Sequence, residues 1–266
     1  MLTLVPQGGL CNRLRVLLSA LQARTEGAGS ITVEWECNAE CKAWFEDLFV
    51  PIDMGNFRVV HRRWWARPIT RRNLWFPALL RLFLGYRVQH ANYAPATSAD
   101  FLRLATSNRR VYLSTCSTLC RYTPDCLARL QPRPELMQRI ERIKARFTRN
   151  TVGVHIRRTD NAVSMSRSTP EGFRRAMDRE IKRDFKVRFF LATDDEALKA
   201  TLVQEYPDRI ITQRTQVRRD TLDGMREAVV DLWCLAATQR IIGSYWSSFT
   251  DTAAELRQIP LEIVQE

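Results

Sequence analysis

Val152-Gly153-Val154-His155-Ile156-Arg157-Arg158-Thr159-Asp160 begins as a buried strand and ends in charge. Alternating Val, Val and Ile mark a core strand of an α/β protein. Two adjacent arginines follow, and their charges must be solvated, paired or bound to an anion. The rest of the carboxy-terminal half repeats the pattern. Strands are expected at Thr151–Ile156, Val187–Ala192, Arg209–Ile211 and Arg240–Gly243, with helical periodicity near 170–184, 195–205, 220–238 and 249–258. Strand and helix in strict alternation imply parallel pairing with right-handed crossovers, a Rossmann-like sheet.

The amino-terminal half opens similarly, with a strand at Leu2–Val5, a glycine-containing turn, an apolar helix through Leu14–Ala23 and a strand at Ile31–Trp35. Beyond that the pattern blurs. Two prolines in Gln131–Glu135 and a charged helix, Glu135–Phe147, lead into the second half. The expected domains are therefore 1–147 and 148–266.

The 266 residues carry a formal charge of +12, and only five of the basic residues are Lys. Arginine offers a rigid fork for phosphate or carboxylate, so a polyanionic ligand, nucleic acid, an anionic membrane and a merely basic surface all remain open. Seven cysteines form no tight framework: Cys37/Cys41 and Cys116/Cys120 are spaced C-x3-C, but no histidine completes a zinc cluster. Reduced thiols of a cytoplasmic protein are expected. The amino terminus lacks the charged and apolar regions of a signal peptide, and there is no apolar run of about 18 residues.

Ligands of open parallel sheets bind outside the carboxyl ends of the strands, and three unusual clusters fall there. In the first, Arg157 and Arg158 can fork onto a diphosphate, Asp160 can hold one guanidinium, and His155 can donate to a base or ribose. A surface pair of Arg158 with Asp160 is the plain alternative. The second, Thr193-Asp194-Asp195, either caps the next helix or serves a site. The third, Ser244–Thr250 (SYWSSFT), offers an anion cradle at Ser247–Ser248 or ordinary capping. Asp231 interrupts the apolar helix Ala228–Leu235; it needs a partner, either an internal arginine or the paired N–H donors of guanine. In Gly8-Gly9-Leu10-Cys11-Asn12-Arg13, Gly9 permits close backbone approach while Asn12 and Arg13 could reach a ligand, though a tight turn explains the stretch as well.

The set GG-x-x-NR, H-x-RR-x-D, ATDD and an Asp-bearing helix leading to SSF resembles a fucosyltransferase superfamily. It includes the α-1,6-fucosyltransferases, the rhizobial nodulation fucosyltransferase and the protein O-fucosyltransferases. The resemblance covers about 151–258 and the turn at 8–13. It implies a GT-B-like α/β fold, two Rossmann-like domains facing each other across a cleft with the first one reduced, and GDP-fucose held mainly by the second. By that resemblance Arg157 is the ligand of the β-phosphate, with Arg158 and Asp160 completing the motif. His155 and Asp231 read guanine, Asp194, Asp195 and Ser248 match further required positions, and no metal cofactor is needed. One departure is plain: where the α-1,6 enzymes carry a glutamate that looks like the general base, Asn161–Arg167 has no carboxylate.

The expectation is an inverting, metal-independent fucosyltransferase acting on a glycan or lipid-linked acceptor. The rivals are another nucleotide sugar on the same fold, or a non-catalytic nucleic-acid binder. The last would use Met54–Ala99, which has no acidic residue, eight arginines and three tryptophans. That window also has the composition of a segment lying on an anionic membrane surface, with a basic face on an ordinary helical hairpin as the alternative.

Overall fold

The computed structural model describes residues 1–62, 79, 81–158, 162–213 and 218–266. It divides into two compact units, Met1–Gln131 and Pro132–Glu266.

The first unit is a five-stranded sheet, every strand parallel. It comprises β1 (Leu2–Pro6), β2 (Ile31–Trp35), β3 (Phe57–His61), β4 (Val88–Ala91) and β5 (Val111–Thr115), in the order β3-β2-β1-β5-β4. Central β1 and β5 are buried along their whole length, as a parallel sheet covered on both faces requires. The edge strands β3 and β4 stay half solvated and keep Arg58, His61, Gln89 and His90. Helix α1 (Leu10–Thr25) buries 12 of its 16 residues, so it is apolar nearly all round, as an enclosed helix must be. The unit also holds a 3-10 turn at Phe45–Asp47 and helices α2 (Ser98–Ala105) and α3 (Pro124–Ala128).

The second unit has β6 (Thr151–Ile156), β7 (Arg188–Thr193), β8 (Ile210–Ile211), β9 (Ile241–Ser244) and β10 (Leu261–Val264), all parallel in the order β10-β9-β6-β7-β8. Its helices are α4 (Pro134–Lys144), α5 (Ala162–Arg167), α6 (Pro170–Arg183), α7 (Glu196–Glu205), α8 (Leu222–Ala236) and α9 (Ser248–Arg257). The chain order reverses between β6 and β9, which leaves a crevice above their carboxyl ends. Val152, Val154 and Ile156 point into a core with Phe173, Met177, Phe189, Leu191 and Leu202. Gly153 and His155 therefore face the other side of the sheet. There α8 lies so close that a Cβ on Gly153 would stand 3.0 Å from Leu235 Cδ2.

The division falls at 131/132 instead of the expected 147/148. Helix α4 buries Leu136 and Ile140, and its Arg139 forms an ion pair with Glu227 of α8, which ties it to the second unit. Sequence alone shows only an amphipathic helix, not the surface it covers.

Candidate functional site

The clusters after β6, β7 and β9 converge at the carboxyl edge of the second sheet. His155 is buried; its Nδ1 is 2.7 Å from Thr250 Oγ1, and its ring stacks on Phe249 with centroids 4.8 Å apart. Thr250 reaches it because β9 carries Gly243 opposite His155. A Cβ at Gly243 would lie 2.0 Å from Thr250 Cγ2. Burial, reinforced by the Arg157 charge, pushes the His155 pKa well below its ordinary value, so the ring is neutral at pH 7.

Arg157 leaves the strand with its amide donating to Ser244 Oγ at 2.9 Å and its Nε 3.4 Å from Asp194 Oδ2. The Arg158 amide donates to Asp194 Oδ1 at 2.7 Å. Asp194 thus steadies the turn that presents both arginines. Asp195 does something else: it is the N-cap of α7, accepting from the Leu198 amide at 3.0 Å. Of the two adjacent carboxylates, one belongs to the site and the other to the helix. Ser247 is likewise the N-cap of α9, and Ser248 is its first residue, so the positive end of that helix opens beside β9. Asp160 lies outside the described residues, and so does its expected grip on a guanidinium.

Asp231 stands one turn before Leu235 on α8, the helix whose Leu235 packs against Gly153 of β6. Within the chain, its hydrogen-bond partner is a glutamine and not the arginine expected. Gln213, two residues beyond β8, donates from Nε2 to Asp231 Oδ1 at 2.6 Å and to the Glu227 carbonyl at 3.0 Å. Arg139 donates to Gln213 Oε1 at 3.1 Å, and Lys199 Nζ lies 3.4 Å from the Gln213 carbonyl. Burial raises the Asp231 pKa to about 7, against the pull of Gln213, Lys199 and Arg139. A carboxyl so placed responds to any ligand that offers it N–H donors. Gln213 carried no signal in the sequence, since it follows a strand of two residues.

In the first unit, Gly8 adopts a φ of 81° at the turn before α1, and Gly9 is the N-cap. Asn12 accepts from Arg15. Arg13 does not reach outward: it is buried, donating to the carbonyls of Gly8 and Glu36 and to Asn38 Oδ1, with Trp35 beside it. Its role is to close the turn onto the strand.

The Met54–Ala99 window is described only in part. Arg63, Arg67, Arg71, Arg72, Trp64, Trp65 and Trp75 lie outside the described residues. Arg62 is buried and paired with Glu36 at 3.0 Å, and Arg81 is buried over the Tyr112 ring at 3.9 Å, so neither adds to a basic surface. Leu79, Leu82, Phe83 and Leu84 are exposed. All seven cysteines are free thiols. Among the described residues, no cluster of His, Cys, Asp or Glu has the make-up of a metal site, and no helix is long and apolar enough to cross a membrane.

No family model matches the chain, and no curated protein sequence does. Solved structures do. The NodZ α-1,6-fucosyltransferase co-crystallised with GDP is similar at a TM-score of 0.64 and 17% identity, over 96% of this chain and 92% of that one; the same enzyme is described from Bradyrhizobium. Arabidopsis thaliana FUT1, in complex with GDP, is similar at 0.61 and 13% identity, over 98% and 69%. POFUT1 in complex with GDP is similar at 0.55 and 11%, over 99% and 97%. The chain shares the fold of these solved fucosyltransferases.

Proposed function

We propose that this chain is an inverting glycosyltransferase that moves fucose from GDP-fucose to a hydroxyl of a glycan or lipid-linked acceptor. The observation that carries the reading is Arg157 braced by Asp194 beside a buried, neutral His155 above one crevice, with the buried carboxyl of Asp231 on the helix that packs against the same strand. Guanine would take its place between the last two. Its N–H donors replace the Gln213 amide on Asp231, and a Thr250 hydroxyl that donates to His155 Nδ1 leaves an Nε2–H to meet a base acceptor. Arg157 and the amides at the start of α9 would hold the β-phosphate, with Arg158 beside it. As the C1–O bond loosens, negative charge grows on the diphosphate. These groups stabilise it there without a metal ion.

No general base is assigned, because Ala162–Arg167 contains no carboxylate and Asp194 is engaged by the turn it braces. Gly9 and Asn12 of the first unit remain candidate contacts to the donor. The test is release of GDP from GDP-fucose, compared with GDP-mannose, UDP-glucose and UDP-galactose, with and without EDTA. Turnover of GDP-fucose that survives EDTA and disappears in Arg157→Ala supports the reading; preference for a UDP-sugar sinks it.

The proposal includes action in the cytoplasm with association at the inner membrane surface. The exposed Leu79, Leu82, Phe83 and Leu84, beside the arginine-rich stretch, favour the surface association.

A further inference from the structure

Among the described residues, five other than glycine have positive φ: Asn56, Asn92, Asp208, Trp246 and Gln258. Asn and Asp tolerate the left-handed region, and Gln258 is the C-cap of α9. Trp246, with φ at 51°, has neither excuse. A bulky side chain is strained there and persists only where neighbours impose it, which occurs chiefly at functional sites.

The neighbours do impose it. Ser244 accepts from the Arg157 amide, and the Tyr245 amide donates to Ser168 Oγ at 2.8 Å, a buried hydroxyl that in turn donates to the Val264 carbonyl at 2.6 Å. On the other side, Ser247 caps α9. Residues before and after are locked inward, and the chain turns through Trp246 between them. Trp246 is 72% exposed, with the Tyr245 ring edge-on at 6.2 Å. An exposed tryptophan alone means little. One forced outward, between the serine that fixes Arg157 and the serine that opens α9, is set at the mouth of the crevice.

We propose that Trp246 is a binding platform for the acceptor: the apolar face of a pyranose ring stacks on its indole and brings the acceptor hydroxyl to the donor. This rests on the glycosyltransferase reading above and names the acceptor class as a sugar. A flat, rigid, amphipathic ring with few rotamers suits such a contact.

The experiment uses the full chain, with saturating GDP, on an array of immobilised oligosaccharides built from glucose, galactose, mannose, xylose and N-acetylglucosamine. Wild type is retained on at least one glycan. Trp246→Ala loses retention at least tenfold, and Trp246→Phe stays within a few-fold. Trp246→Gly, which the left-handed backbone suits, loses retention as alanine does yet melts no lower than wild type, so unfolding is not the cause. In all three variants GDP still raises the melting temperature. Equal retention by Trp246→Ala, or no retention of a wild type that GDP stabilises, overturns the inference. A wild type that GDP fails to stabilise instead removes the donor reading beneath it.

Discussion

Donor affinity should depend on pH through one buried carboxyl. Burial disfavours the charge of Asp231 and pushes its carboxyl up to about 7 in the free protein, while guanine's N–H donors favour the ionised form. The ionised, competent fraction is then about 0.09 at pH 6 and about 0.9 at pH 8, so the Kd at pH 6 is about tenfold weaker, or ~1.4 kcal/mol. His155 stays neutral across this range and adds no slope. The ligand to use is GDP-fucose, whose diphosphate is esterified at both ends and keeps its charge between these values. Calorimetric titration at pH 6, 7 and 8, in buffers of different ionisation enthalpy, reads both the Kd and the proton released on binding. Asp231→Asn should bind more weakly by about 1–3 kcal/mol at pH 8 and lose the slope. The linkage runs the other way for folding. A carboxyl raised from 3.8 stabilises the native state fully below pH 4 and loses that contribution as pH rises through 7, so Asp231→Asn melts higher than wild type at pH 8 but not at pH 4. A wild-type Kd unchanged between pH 6 and 8 refutes the reasoning.

Other consequences can be checked separately. Arg157→Ala should lower transfer about 100- to 1000-fold; activity within a few-fold of wild type removes its role. Thr250→Val takes away the hydroxyl that orients His155 and should weaken GDP binding about tenfold, as one buried hydrogen bond is worth about 1 kcal/mol or more; unaltered affinity shows the ring is held without it. Phe83→Ser should reduce flotation with phosphatidylserine vesicles at low salt. A wild type that ignores such vesicles disposes of the membrane association.

In the second sheet β6, β7 and β9 were legible because they are buried almost throughout, and each lies within one residue of expectation at each end; the half-exposed edge strand β10 went unnoticed. In the first unit β3 and β4 escaped notice for the converse reason. As edge strands they keep charged and polar residues that blur the pattern. β5 is central and fully buried, yet Tyr112, Ser114 and Thr115 disguise it behind Arg109 and Arg110. At the site, residue types announced chemistry but not who holds whom. Asp194 and Asp195 are indistinguishable in sequence, and one rotation of the chain sends the first to Arg157 and the second to a helix cap. Arg13 looked available to a ligand only because its acceptors are mostly backbone carbonyls, which no sequence displays.

The central claim is that the second unit holds a guanine nucleotide without a metal ion. It is tested most directly by the melting temperature of wild type with GDP, UDP, ADP and CMP, each with magnesium and with EDTA. A ligand that binds only the native state must raise it, by about 2.7 kcal/mol of stability at a hundredfold excess over Kd. The account predicts a rise with GDP, alike in magnesium and EDTA, and none with the other three. Equal rises with all four nucleotides, or a GDP response abolished by EDTA, would contradict it.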